Sequence, residues 1–171
     1  MFNKLRPDQM VDSIYDIDYL KLAEHGIKGV IADLDNTLIP WDTDEISQDL
    51  LNWVDALKSA GLKLAILSNS FSLSRVENMS AKLDIFAASK AIKPRRGGFR
   101  NIAAHFGLSP NQMAVIGDQL FTDILGGNRA GMHTILVLPL SKAEFIGTKL
   151  MRLLERFFLS RLKIDRKKTG T

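Results

Sequence analysis

The chain has 171 residues, 46% of them apolar, no cysteine, and a net charge of +4 from 23 basic and 19 acidic residues. That is enough apolar chain for one packed domain, and the lack of cysteine excludes disulfides, thiolate metal sites and cysteine nucleophiles. The charge is uneven: residues 142–171 hold nine Lys/Arg against three acids, leaving 14 basic and 16 acidic residues upstream, so the body is slightly acidic and the basicity belongs to the tail.

The start, Met1-Phe2-Asn3-Lys4-Leu5-Arg6, soon turns polar, so no signal peptide is expected, and no stretch approaches the length of a transmembrane helix. A cytoplasmic protein is the expectation. Residues Met10–Glu24 read as a leading helix. An apolar run from Gly29 then ends abruptly at Asp33 and Asp35 and reads as a buried parallel strand with acids at its carboxyl tip. Two residues apart on an extended backbone, the two carboxylates point the same way and need a cation or a shared proton. Ile46, Leu50, Trp53, Val54 and Leu57 recur with helical spacing, and Gly61 ends that helix. A second strand over Lys63–Ser68 is followed by a helix over Ser72–Leu83, a third strand over Ile85–Ser89 and a helix over Phe99–Phe106. Met113–Gly117 is the fourth strand, Phe121–Ala130 a helix ending near Gly131, and Thr134–Pro139 the fifth strand. Strand–helix alternation of this kind predicts an α/β fold with a five-stranded parallel sheet.

Polar residues follow the apolar runs. Asp33 and Asp35 end the first, Ser68 and Asn69 the second, Lys93 lies just after the third, and Asp118 ends the fourth, with Asp123 close behind. In an open α/β sheet ligands bind beyond the carboxyl ends of the strands, so four segments deliver polar groups to one edge. Carboxylate oxygens converging from separate strands suit Mg²⁺, and the chemistry that fits is phosphoryl transfer. The three histidines, His25, His105 and His133, have no metal-ligand spacing and read as surface or packing residues. There is no GxSxG elbow.

Asp33-Leu34-Asp35-Asn36-Thr37, Ser68, Lys93-Pro94 and Gly117-Asp118 through Asp123 resemble the four ordered motifs of the haloacid-dehalogenase (HAD) superfamily of phosphatases. They cover roughly Gly29 to Leu138. Arg6-Pro7-Asp8, Ser13 to Asp18, Gly26 to Gly29, Ile39-Pro40-Trp41-Asp42 and Asn69-Ser70 extend the resemblance over nearly the whole chain, to the YqeG family of subclass IIIA. The resemblance implies a Rossmannoid three-layer sandwich with the Asp33 strand central, between those ending in Ser68 and Asp118. It implies Asp33 as the nucleophile forming an aspartyl-phosphate and Asp35 as the acid, then base. It implies Mg²⁺ on Asp33, the Asp35 carbonyl and Asp118, with Asp123 supporting from behind or through water; a helix cap is the competing role for Asp123. Ser68 would bond a phosphate oxygen and Lys93 balance the charge. Backbone N–H groups of Asn36 and Thr37, and Asn69, are expected at the phosphate. Arg95 and Arg96 either contact substrate or form a solvated loop.

About thirty residues separate Asp35 from Ser68, and about two dozen separate Ser68 from Lys93, too few for the folded cap that HAD phosphatases selecting small metabolites often carry. An open site is expected, with a bulky, polymeric or membrane-borne substrate. Family members in mitochondria and plastids act on phosphatidylglycerophosphate, which makes that lipid the first expected substrate. A receiver-type phosphoacceptor domain gathers similar groups, but its accepting Asp stands alone on a later strand; Asp35 discriminates, since it promotes turnover. A non-catalytic binding protein of the same fold has no need of both Asp33 and Asp35. Residues 1–141 read as the phosphatase domain and 142–171 as an appendage. Within it, Phe145–Ile164 reads as a helix with Ile146, Leu150, Leu153, Leu154, Phe157, Phe158 and Ile164 on one face and Lys149, Arg152, Arg156 and Lys163 opposite. Such a face meets either anionic phospholipid at the inner face of a membrane, or the sheet or another subunit. The Arg166-Lys167-Lys168 run lacks interleaved aromatics, so no specific nucleic-acid partner is expected.

Overall fold

The structure, a computed structural model, describes residues 2–141; the predicted helix Phe145–Ile164 and the terminal basic run lie outside the described residues. Six parallel strands form one sheet: β1 (Gln9–Met10), β2 (Gly29–Ala32), β3 (Lys63–Leu67), β4 (Phe86–Ala88), β5 (Met113–Gly117) and β6 (His133–Leu136), in the order β1-β6-β5-β2-β3-β4. The helices are α1 (Tyr19–Glu24), α2 (Gln48–Ser59), α3 (Leu73–Leu83), α4 (Arg96–Phe106) and α5 (Leu125–Ala130).

Alternation along the strands separates the two faces. Val30, Ala32, Leu64, Ile66, Ala114 and Ile116 pack with α1, α2 and α3. Ile31, Ala65, Leu67, Met113 and Val115 pack with α4 and the end of α5. The result is the expected three-layer sandwich, and β2 is central, between β5 and β3. The central strands are buried on both sides, which is why they read as continuous apolar runs. In α2, Ser47 accepts the Leu50 N–H and the buried stripe Leu50, Trp53, Val54 and Leu57 faces the sheet. No folded cap interrupts the described residues: α3 alone lies between β3 and β4, and a flap followed by α2 lies between β2 and β3.

The leading helix and the strand count are corrected. Residues 10–24 do not form one helix; Gln9–Met10 is a sixth strand, Ile14–Asp16 a single 3₁₀ turn, and the α-helix begins only at Tyr19. Asp8 draws this segment to the sheet edge. Its N–H donates to the Thr134 carbonyl at 2.9 Å, and its Oδ2 accepts the Thr134 N–H at 2.8 Å. Ser13 and Asp18 then each cap a new short helix. Met10, Ile14 and Ile17 are all buried, so their spacing imitates one helical stripe although the backbone bends between them. The helix expected over Phe121–Ala130 begins as a π-helical turn, Leu120–Ile124, before α5.

Candidate active site

Asp33, Ser68 and Asp118 follow the adjacent strands β2, β3 and β5, and Lys93 enters from the loop after β4. The Asp33 N–H donates to the Ile116 carbonyl at 2.9 Å, which continues the β2–β5 ladder and fixes where its side chain emerges. Lys93 Nζ lies 2.5 Å from Asp33 Oδ1 and 2.7 Å from Asp123 Oδ1, all three side chains being almost wholly buried. Asp123 Oδ2 accepts the Gln119 N–H at 3.1 Å, so this carboxylate both holds Lys93 and pins the loop before the π-helical turn. That arrangement requires Gly117, where an added Cβ would overlap the Asp123 carboxylate. Asp118 is buried, and its Oδ1 accepts the Thr37 hydroxyl at 3.2 Å.

Carboxylate oxygens of Asp33, Asp118 and Asp123 lie within 4.8 Å of one another. Asp33 and Asp123 share one ammonium, and with Asp118 three carboxylates crowd a buried site. A divalent cation would offset that crowding, and an all-oxygen donor set favours a hard ion. The electrostatics carry the same imprint. Burial pushes the Asp33 carboxyl well above the usual carboxylate range; Lys93 opposes this, while Asp123 and Asp118 add to it. Burial alone would lower Lys93, but the Asp123 and Asp33 carboxylates outweigh it, so the lysine stays protonated and is held above its ordinary value.

Asp35 departs from expectation. Its carboxylate does not join Asp33, because β2 ends at Ala32 and the chain coils around the Leu34 carbonyl, which accepts the N–H groups of Thr37, Leu38 and Ile39. The extended geometry that would have aligned the two acids is lost. Asp35 Oδ1 instead accepts Arg75 Nε at 3.2 Å. The same guanidinium donates to the Pro40 carbonyl at 3.0 Å and bonds Asp44. Burial raises the Asp35 carboxyl and Arg75 restrains the rise.

Arg75 is the residue that sequence reasoning missed. It ties α3 to Asp35 and to the flap after β2. Removing it with Arg75→Gln should leave the fold intact, free Asp35 and lower kcat by about 10- to 100-fold with little change in KM. A change confined to KM would instead place Arg75 at the substrate.

Other expected contacts are redirected. The Asn36 N–H donates to the Ile39 carbonyl at 2.7 Å and the Thr37 N–H to the Leu34 carbonyl at 3.4 Å, so neither is free for phosphate. Asn36 is the left-handed residue of this turn, with φ of 63°. The N–H groups of Leu34 and Asp35 donate to no acceptor among the described residues. Asn69 is spent on Lys93: its Oδ1 accepts the Lys93 N–H at 2.7 Å and its Nδ2 donates to the Lys93 carbonyl at 3.3 Å. Ser68 is buried and its Oγ accepts the Ser70 N–H at 3.0 Å, leaving the hydroxyl proton for another acceptor. Arg95 and Arg96 are exposed at the start of α4, beside the Lys93 loop.

The family model described as mitochondrial PGP phosphatase matches residues 3–140. The chain belongs to that family. It is 42% identical over 157 residues to the probable phosphatase YqeG of Bacillus subtilis, covering 92% of this chain and 91% of that one. It is 33% identical to phosphatidylglycerophosphate phosphatase 1 of Arabidopsis thaliana, covering 86% of this chain but 45% of that longer protein. In fold it is similar to the deoxy-D-mannose-octulosonate 8-phosphate phosphatase of Haemophilus influenzae, with a TM-score of 0.55, 18% identity, and 90% and 96% of the two chains covered. The family member described here is thus a phosphatase.

Proposed function

We propose that the chain is a Mg²⁺-dependent phosphomonoesterase that works through an aspartyl-phosphate and takes phosphatidylglycerophosphate as its substrate. The observation that carries the chemistry is the buried cluster of Asp33, Asp118 and Asp123, with Lys93 bound between Asp33 and Asp123. The lipid assignment draws support from the family match and from the Arabidopsis relative named for that substrate.

In this reading an Asp33 oxygen attacks phosphorus while the ester P–O bond breaks and Asp35 gives its proton to the leaving oxygen. Burial, which raises the Asp35 carboxyl, favours the protonated form that this step consumes. Water then gives a proton to the Asp35 carboxylate as its oxygen attacks phosphorus. The P–O bond to Asp33 breaks, and inorganic phosphate and the free carboxylate are released. Lys93 and the Ser68 hydroxyl hold the phosphoryl oxygens, and the Leu34 and Asp35 N–H groups point their dipoles at them. Asp33, the Asp35 carbonyl and Asp118 would hold the cation, which supplies charge neutralisation of the phosphoryl group; Asp123 serves chiefly to keep Lys93 in place. Residues 1–141 constitute the catalytic unit and 142–171 an appendage, and the protein works at a membrane surface. No helix of the described residues is long and apolar enough to cross a membrane, which fits access from one side.

The test is phosphate release from vesicles carrying phosphatidylglycerophosphate and from soluble phosphomonoesters, with Mg²⁺ or EDTA. Lipid turnover that EDTA lowers by at least about 10³-fold is expected. Turnover of soluble esters alone would discard the lipid, and full activity in EDTA would discard the cation.

A further inference from the structure

Nine large apolar side chains are exposed among the described residues, and six of them lie in segments leaving the carboxyl ends of β2, β3, β4 and β6. These are Trp41, Phe71, Leu73, Ile92, Leu138 and Leu140. Single exposed apolar residues are ordinary; gathering most of them at one edge of the sheet is not. Phe71 is 88% exposed and Ile92 60%, far beyond what packing on the flanking elements requires.

Hydrogen bonds link these loops into one rim. Asn36 accepts the Leu140 N–H on its carbonyl at 3.0 Å and the Trp41 N–H on its Oδ1 at 3.3 Å. Arg75, two residues beyond Leu73, donates to the Pro40 carbonyl next to Trp41. Asn69, two residues before Phe71, grips the backbone of Lys93 next to Ile92. The apolar tips therefore lie on segments tied to one another and to the Lys93 loop, beyond the same sheet edge as Asp33. Lys90 and Arg95 are exposed in the same loop as Ile92, and Arg96 at the start of α4. In the flap the acid Asp44 is paired with Arg75, while Asp42 and Glu45 stay exposed.

We propose that this rim is a membrane-docking surface, which seats Phe71, Ile92 and Trp41 in the interfacial layer of a bilayer containing anionic phospholipid. Lys90, Arg95 and Arg96 meet the anionic headgroups and the site opens toward them. The role of the bilayer as substrate source rests on the lipid reading above; the docking does not. Separate apolar tips around a polar opening suit a fluid surface that closes around each one. A stable protein partner needs about 800 Å² of continuous complementary surface on each side.

The test uses the full chain and vesicles of phosphatidylcholine with or without phosphatidylglycerol. The protein has two tryptophans, Trp41, which is 43% exposed, and Trp53, which is 6% exposed in the core, so a change in emission on binding reports Trp41. A blue shift and quenching by brominated acyl chains are expected with the anionic vesicles. Phe71→Ser with Ile92→Asn should weaken vesicle binding by about tenfold while turnover of a soluble phosphomonoester stays within about twofold. Silent tryptophan emission on bound vesicles, or unchanged binding by the double variant, overturns the proposal. Hydrolysis of soluble esters alone together with a full Trp41 response would keep the docking surface and remove the lipid substrate. Lipid turnover with a silent Trp41 would do the reverse.

Discussion

Asp33→Asn should lower phosphate release by at least about 10⁴-fold, the scale on which loss of a covalent nucleophile is felt, and yet leave the metal-free protein no less stable than wild type. The amide matches the carboxylate in shape, and Lys93 keeps its bond to Asp123 at 2.7 Å. What changes is charge. In the wild type without cation, Asp33 shares one ammonium with Asp123 and lies against Asp118, and its carboxyl is pushed up by burial. A carboxyl whose folded-state value exceeds its unfolded value of 3.8 contributes stability that is fully present below that value and lost as pH rises through the folded one. In EDTA at neutral pH, ionised Asp33 therefore works against folding, and Asn removes that opposition. The melting temperature of wild type in EDTA should rise as pH is lowered from neutrality toward the carboxylate range, and Asp33→Asn should lose that part of the slope. Mg²⁺ should raise the wild-type melting temperature more than that of the variant. A variant with wild-type turnover would remove Asp33 from the chemistry. One as inactive as expected but several degrees less stable in EDTA would show that the carboxylate is a structural partner of Lys93.

The parts of this site read from local pattern alone share one property: each is an abrupt change from apolar to polar at the end of a buried strand. Asp33, Ser68 and Asp118 are of this kind, and the strands β2, β3 and β5 that carry them are adjacent in the sheet. The parts that could not be read depend on where the chain goes next. The coil around the Leu34 carbonyl brings Asp35 to Arg75 and consumes the N–H groups of Asn36 and Thr37; nothing in Asp33-Leu34-Asp35-Asn36-Thr37 marks that turn before its partners are known. Asn69 looks like a ligand-binding residue until its two bonds to the Lys93 backbone, 24 residues away, are seen. Arg75 carried no signal, since a single arginine in the first turns of an amphipathic helix is ordinarily solvated. The strand Gln9–Met10 is two residues long and owes its existence to Thr134, at the far end of the domain. Local pattern fixes which residues stand at the sheet edge; pairing across some 24 to 81 residues decides which of them face one another.

Lys93→Met should cost the metal-free protein about 3–5 kcal/mol, the usual penalty for stripping the partner from buried charges. For a domain of this size that is a fall in melting temperature of about 10–15 °C. The methionine fills much of the same space, and Asn69 still holds the backbone at this position from both sides. The loss is therefore electrostatic: Asp33 and Asp123 are left buried against each other and against Asp118 without the ammonium they shared. Protonation of these acids absorbs part of the penalty, so the melting temperature of the variant in EDTA should climb steeply on acidification. Mg²⁺ should restore more stability to Lys93→Met than it adds to wild type, because the bound ion then neutralises charge that the ammonium formerly shared. Activity should not follow stability. Even when saturated with Mg²⁺, the variant should turn over at least about 10³-fold more slowly, having lost the ammonium that faces both the nucleophile and the incoming phosphoryl oxygens. Lys93→Arg separates the two roles. It keeps the charge, so most of the stability in EDTA should return. Its planar fork cannot occupy the point between Asp33 and Asp123 that a compact ammonium fills, so turnover should remain about 100-fold down. Equal melting temperatures for wild type and Lys93→Met in EDTA would mean that the cluster is already neutral without its lysine, and the crowding of charge on which the cation site rests would be gone.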